Sequence, residues 1–215
     1  MLNGQNYESN WNSLDARPTP QWFKDAKFGI FIHWGLYSVP AWGPKGSYAE
    51  WYLNGLNNGD TARLRYHEEN YGKDFPYWKF IDLFKPDRYD PDKWATLFKR
   101  SGAKYVVLTS KHHDGFCLWP SKQSRGYNSV SGAAGRDLLG DLDRSVKKVG
   151  LRSGLYYSLY EWDHPDYPED VKTYVADYML PQFKDVVQRY EPDIIFSDGE
   201  WDRDSREWKS EEFLA

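Results

Sequence analysis

The chain is poor in several features that would have assigned it to a broad class at once. It has one cysteine, Cys117, in 215 residues, so no internal disulfide can form. Cys117 is expected as a small buried hydrophobe. No apolar run is long enough to span a bilayer, which excludes membrane insertion by a helix. The opening residues Met1-Leu2-Asn3-Gly4-Gln5-Asn6 lack a basic segment followed by an apolar one, so no signal peptide is expected within this chain. An excess of basic charge is missing too. The net charge of -4 argues against a nucleic-acid partner held by phosphate neutralisation. There is no internal repeat, no low-complexity stretch and no Gly-rich phosphate loop. No His-x-x-x-His pair marks a zinc site.

Aromatic residues, by contrast, are plentiful, at 18% of the chain. Most such rings fill cores. Sugar-binding clefts also use them, because a flat ring packs on the C–H face of a pyranose. Four short apolar runs read as buried strands, at residues 28–33, 105–109, 154–158 and 194–197. Each is rich in β-branched or aromatic residues and lacks polar alternation, as parallel strands covered on both faces should. Helices are expected between them. Asp90-Pro91 offers an N-cap and Pro at N1, Trp94, Leu97 and Phe98 form a stripe, and Gly102 ends it. A second helix runs from about 137 to 150 with Leu138, Leu142 and Val146 on one face. A third runs from about 168 to 190, where Pro181 should kink it.

The order β-α-β-α-β, with a long insertion after the first strand, means an α/β fold with a parallel sheet. Polar residues gather where each strand ends, as on the C-terminal face of a (β/α)8 TIM-like barrel. Such a barrel needs eight strands and ~250 residues. Four strands in 215 residues amount to about its first half. Residues 1–215 are therefore expected to be the N-terminal portion of a single barrel domain, truncated where Ser210 caps a helix that has only begun.

The strand ends supply His33, then His112 and His113, then Tyr156 and Tyr157, then Asp198. Gathered on one face, they make a pocket of donors and acceptors suited to a polyol, since every sugar hydroxyl does both. Glu50-Trp51 in the insertion adds a carboxylate and an aromatic wall. Residues two apart in a strand share a face, so Phe31 should point with His33. Asp198 follows Ile194-Ile195-Phe196-Ser197 and precedes Gly199, where the backbone can turn sharply. A zinc site of His33, His112 and His113 is the rival reading, opposed by the rule that adjacent strand side chains point apart. Glu200 is too close to Asp198 in sequence to reach the far side of a glycosidic bond.

These stretches resemble the α-L-fucosidases of glycoside hydrolase family 29. The resemblance lies in Ala26-Lys27-Phe28-Gly29-Ile30-Phe31-Ile32-His33-Trp34-Gly35, Tyr48-Ala49-Glu50-Trp51, Lys111-His112-His113-Asp114-Gly115-Phe116, Gly154-Leu155-Tyr156-Tyr157-Ser158 and Ser197-Asp198-Gly199-Glu200-Trp201. It implies a retaining exo-glycosidase that hydrolyses terminal α-L-fucosyl linkages through a covalent fucosyl-enzyme on Asp198. His33, Glu50, Trp51, His112, His113 and Tyr156 correspond to positions that hold the fucose ring, and Phe31 is a candidate for the contact to its C5 methyl. The partner implied is a fucosylated oligosaccharide or glycoconjugate, with no cofactor and no metal. A secreted, periplasmic or lysosomal location is implied as well. The family's general acid/base lies downstream of Ala215, so no residue here matches it. The alternative is a fucose- or carbohydrate-binding fragment without turnover.

Overall fold

The computed structural model describes residues 7–215; residues 1–6, where no signal peptide was read, lie outside the described residues. Two short helices, α1 (Trp11–Asp15) and α2 (Gln21–Asp25), lead into strand β1 (Gly29–Ile32). The insertion that follows holds α3 (Tyr52–Asn57), α4 (Thr61–Tyr71) and a 3-10 segment, Tyr77–Asp82. Helix α5 (Pro91–Arg100) then leads to β2 (Tyr105–Lys111), α6 (Leu138–Lys148) and β3 (Arg152–Ser158). After β3 come α7 (Val171–Thr173), a π-helical turn over Tyr174–Met179, α8 (Leu180–Tyr190), β4 (Ile194–Asp198) and α9 (Ser210–Leu214).

The four strands pair in the order β1-β2-β3-β4, all parallel. A doubly wound sheet reverses its strand order at a switch point. This sheet never does, which is the order of a (β/α) barrel. Helix starts obey the local chemistry. Asp90 accepts from the Lys93 amide with Pro91 in the first turn, Asp137 accepts from the Gly140 amide, and Asp170 accepts from the Thr173 amide. Leu139, Leu142 and Val146 of α6 bury against Val106, Leu108 and Leu155, so the outer sheet face is covered. The inner face carries Phe31 and Phe196, which are 42% and 49% exposed. Cys117 is fully buried, as a small hydrophobe would be.

The strand and helix limits shift for identifiable reasons. β1 stops at Ile32 because pairing beyond it passes to a side chain. The Trp34 amide donates to the Thr109 hydroxyl at 2.9 Å, and that hydroxyl donates to the Trp34 carbonyl at 2.7 Å. β2 runs two residues past 109, with a register shift against β3 between Thr109 and Lys111. The expected kink at Pro181 takes the form of the π-helical turn just before it, a device that absorbs an amide missing from the helical ladder. Ser210 does not cap α9: it is the first helical residue, and Lys209 occupies the cap position without a side-chain bond.

Candidate active site

Every strand delivers polar side chains to the same end of the sheet. His33 follows β1, His112 and His113 follow β2, Tyr156 lies near the end of β3, and Asp198 is the last residue of β4. Their rings touch in sequence. His33 lies 5.4 Å from His112 and 5.2 Å from Tyr156 between ring centroids, and His112 stacks on Tyr156 at 5.4 Å and 12°. The Tyr156 hydroxyl donates to Asp198 Oδ2 at 2.7 Å, and the Gly199 amide donates to Oδ1 at 2.8 Å. Both carboxylate oxygens are thus fixed. His113 Nε2 stands 3.7 Å from the same Oδ2. Gly199 has a φ of 83°, and a Cβ there would collide with the Tyr160 ring, so the turn after Asp198 requires glycine.

Tyr156 rather than Tyr157 faces this group. Tyr157 points to the outer layer, where its hydroxyl donates to Gln182 Oε1 at 2.8 Å. Phe31 stacks along His33 at 5.2 Å and meets Phe196 edge-on at 5.2 Å, on the inner face next to Tyr156. Glu50 and Trp51 belong to a 3-10 turn, Ala49–Trp51, in the insertion. Trp51 sits 5.8 Å from His113, and the negative charge of Glu50 acts on His33. No hydrogen-bond partner of the Glu50 carboxylate is found among the described residues.

Burial dominates the electrostatics. It lowers the His33 pKa against the opposing pull of Glu50 and Asp198. It holds His112 well below the ordinary imidazole value, and the neighbouring His113 and His33 add to this. It brings His113 down to about 4, although Asp198 works the other way. The imidazoles are therefore neutral at neutral pH. The Tyr156 hydroxyl is pushed far up, first by burial and then by its bond to Asp198, so it stays a donor.

The alternation argument against His112 and His113 sharing a site fails here. β2 ends at Lys111, and in the turn beyond it the two imidazoles lie 4.2 Å apart, with His112 stacked on Tyr156 and His113 beside Asp198. No group of three metal-ligating side chains is found among the described residues. Several neighbours could not be assigned to core or cleft from the sequence. Trp162 and Trp201 join Trp51 around His113, at 5.2 Å and 5.5 Å from its ring, whereas Trp119 is core and Trp42 stacks on Tyr66. Ser158 and Tyr160 support His113 from below. Lys111 Nζ makes a buried ion pair with Glu161 at 2.7 Å, beneath the turn that holds the histidines.

A strand-end carboxylate held by a phenol, with neutral imidazoles and tryptophans close by, offers the hydrogen-bonding groups and flat apolar faces that a polyhydroxylated ring would require. The model of the α-L-fucosidase family matches residues 1–215. The chain belongs to the α-L-fucosidase family. It is 46% identical to the α-L-fucosidase of Dictyostelium discoideum over 226 residues, covering 100% of this chain and 49% of that protein. It is 46% identical to the tissue α-L-fucosidase of Rattus norvegicus, over 97% of this chain and 46% of the rat protein. The crystal structure of Thermotoga maritima α-fucosidase in complex with fucose superposes with a TM-score of 0.87 at 44% identity, over 98% of this chain and 53% of the other. The chain thus spans about half the length of the relatives it matches. Its four strands correspond to the N-terminal half of the family's (β/α)8 barrel domain. No helix among the described residues is long and apolar enough to cross a membrane.

Proposed function

We propose that these residues form the fucose-holding and nucleophile half of a retaining exo-α-L-fucosidase active site, acting on terminal α-L-fucosyl linkages of oligosaccharides or glycoconjugates. The observation that carries this reading is the fixing of both Asp198 oxygens, by Tyr156 and by the Gly199 amide, beside the His113 imidazole. A carboxylate aimed without rotational freedom meets the positioning demand on a nucleophile. In the first step an Asp198 oxygen bonds to the anomeric carbon as the bond to the leaving oxygen breaks, and a general acid supplies that oxygen's proton. In the second step water, deprotonated by the same group, attacks the anomeric carbon and frees Asp198.

The other residues hold the ring. His33, His112, His113 and Glu50 face its hydroxyls, Trp51 packs on a C–H face, and Phe31 covers the methyl that replaces a hydroxymethyl group in this sugar. The acid is assigned to a carboxyl outside residues 1–215, in keeping with the family resemblance. The support from relatives is the fucose-bound Thermotoga maritima structure at 44% identity.

Covalent trapping tests the reading. Incubation of the protein with a 2-deoxy-2-fluoro-fucosyl fluoride should add one fluorofucosyl mass to the peptide containing Asp198. An Asp198→Gly variant should lose nearly all turnover of an aryl α-L-fucoside, keep fucose affinity, and regain part of the rate with azide. Labelling elsewhere, or near-normal turnover by the variant, would remove Asp198 from the nucleophile role. Fucose affinity without turnover or labelling of the unaltered protein would leave only a binding module.

A further inference from the structure

From the hydrogen bonds around His113 we infer that Ser158 is a positioning residue: it locks His113 in the tautomer that carries its proton on Nδ1, and so makes His113 an acceptor toward a ligand hydroxyl beside Asp198. The ligand part of this inference rests on the fucosidase reading; the tautomer does not.

Ser158 is the last residue of β3 and is fully buried. Its Oγ stands 2.6 Å from the Tyr160 carbonyl oxygen and 2.7 Å from His113 Nδ1. A hydroxyl has one hydrogen, and a carbonyl oxygen can only accept. The Ser158 hydrogen is therefore committed to Tyr160, and Oγ can meet His113 only as an acceptor. His113 must donate from Nδ1. A neutral imidazole has a single N–H, and burial keeps this ring neutral. Nε2 is consequently a bare lone pair.

That lone pair points into the site. It lies 3.5 Å from the Tyr156 hydroxyl and 3.7 Å from Asp198 Oδ2. The Tyr156 hydrogen is already given to Asp198 at 2.7 Å. No proton lies between His113 and Asp198, so the imidazole draws no charge from the carboxylate. It is left to accept from a hydroxyl that arrives with the ligand. The opposite tautomer would reverse both effects. Its Nε2–H would reach for Asp198 Oδ2 in competition with Tyr156. Ser158 would then need two hydrogens, or the buried Tyr160 carbonyl would lose its donor.

The tautomer can be read directly from the ligand-free protein. Two-bond proton–nitrogen correlation of ring-labelled histidine distinguishes Nδ1–H from Nε2–H, and the His113 signals are assigned by their loss in His113→Gln. At neutral pH His113 is expected as Nδ1–H. In Ser158→Ala the Nε2–H form should become populated, and kcat/KM for an aryl α-L-fucoside should fall about tenfold, the worth of one hydrogen bond. An Nε2–H pattern in the unaltered protein overturns the inference, and so does an unchanged Nδ1–H pattern in Ser158→Ala. If Ser158→Ala fails to fold, the spectrum of the unaltered protein decides alone. An Nδ1–H pattern in a protein that never turns over fucosides sinks the enzymatic reading and leaves the tautomer standing. Turnover with an Nε2–H pattern does the reverse.

Discussion

The Tyr156 hydroxyl donates to Asp198 Oδ2 at 2.7 Å, across the β3–β4 pair and from two register positions before it. Tyr156 pairs with Phe196 and Ser158 with Asp198, so the phenol reaches diagonally up the inner face to the carboxylate. Replacing Tyr156 with Phe keeps the ring and its stacking on His112 but frees one carboxylate oxygen. A hydrogen bond to a charged group contributes roughly 1.5–3 kcal/mol, or about 10- to 100-fold. The expected result is a fall of that size in kcat for an aryl α-L-fucoside, with a smaller change in KM. A kcat within twofold of the unaltered protein would mean that Asp198 is held adequately without the phenol.

Phe31 makes a prediction about which sugar is accepted. Its ring lies on the inner face between His33 and Phe196, and nearly half of it is open. If it contacts the C5 methyl, Phe31→Ala should lower kcat/KM for an α-L-fucoside by about 10- to 200-fold, the range for lost apolar pocket contact. The matching α-L-galactoside, which carries a hydroxymethyl group there, should lose much less. Steady-state kinetics on the two aryl glycosides measure the ratio. Equal losses on both would place the methyl elsewhere.

Local rules reached some of this site and missed the rest. The two-residue period of a strand placed Phe31 with His33, and a glycine after the strand marked the turn at Asp198. The same period misled at His112-His113, because β2 ends at Lys111 and both histidines lie in the turn beyond it, where strand alternation no longer holds. Ser158 gave no sign either. Its role needs Tyr160 and His113 at once, and His113 is 45 residues away in sequence. Lys111 and Glu161 are 50 residues apart. Read alone, one is a cation at a strand end and the other a loop charge, and only the barrel's adjacent loops make them a pair. The tryptophans divide likewise: Trp51, Trp162 and Trp201 come from three separate loops.

The Lys111–Glu161 pair should contribute to stability in an asymmetric way. Its side chains are 0% and 8% exposed, and Lys111 Nζ also lies 4.4 Å over the Tyr157 ring. Removing one partner strands the other's charge in a dry setting, which costs about 3–5 kcal/mol. Removing both leaves no buried charge. Lys111→Met and Glu161→Leu should each lower the urea midpoint markedly, and the double variant should be more stable than either. A double variant as unstable as the sum of the two singles would show that the charges were not acting as a pair.

Asp114 predicts a pH dependence of stability with a definite sign. The residue is buried behind the histidine turn, where the Tyr77 hydroxyl donates to Oδ2 at 2.7 Å and the Phe116 amide to Oδ1 at 3.2 Å. Burial raises its pKa from 3.8 to about 6; the two hydrogen bonds oppose the shift and the charge of Glu161 adds to it. Between those values the folded protein keeps a proton that the unfolded chain has released. Stability therefore falls as pH rises wherever the native state binds the extra proton. The favourable contribution is complete below the unfolded value and is lost by the time pH passes the folded one. At 1.36 kcal/mol for each pH unit between them, the change is about 3 kcal/mol. Asp114→Asn has nothing to titrate at this position. Urea unfolding of both proteins at pH 4, 5, 6 and 7 isolates the effect as a difference, since other groups titrate alike in the two. The unaltered protein should lose ground steadily against Asp114→Asn up to about pH 6 and then run parallel to it. A difference that stays flat, or one that grows in favour of the unaltered protein as pH rises, would mean that Asp114 enters the fold already ionised.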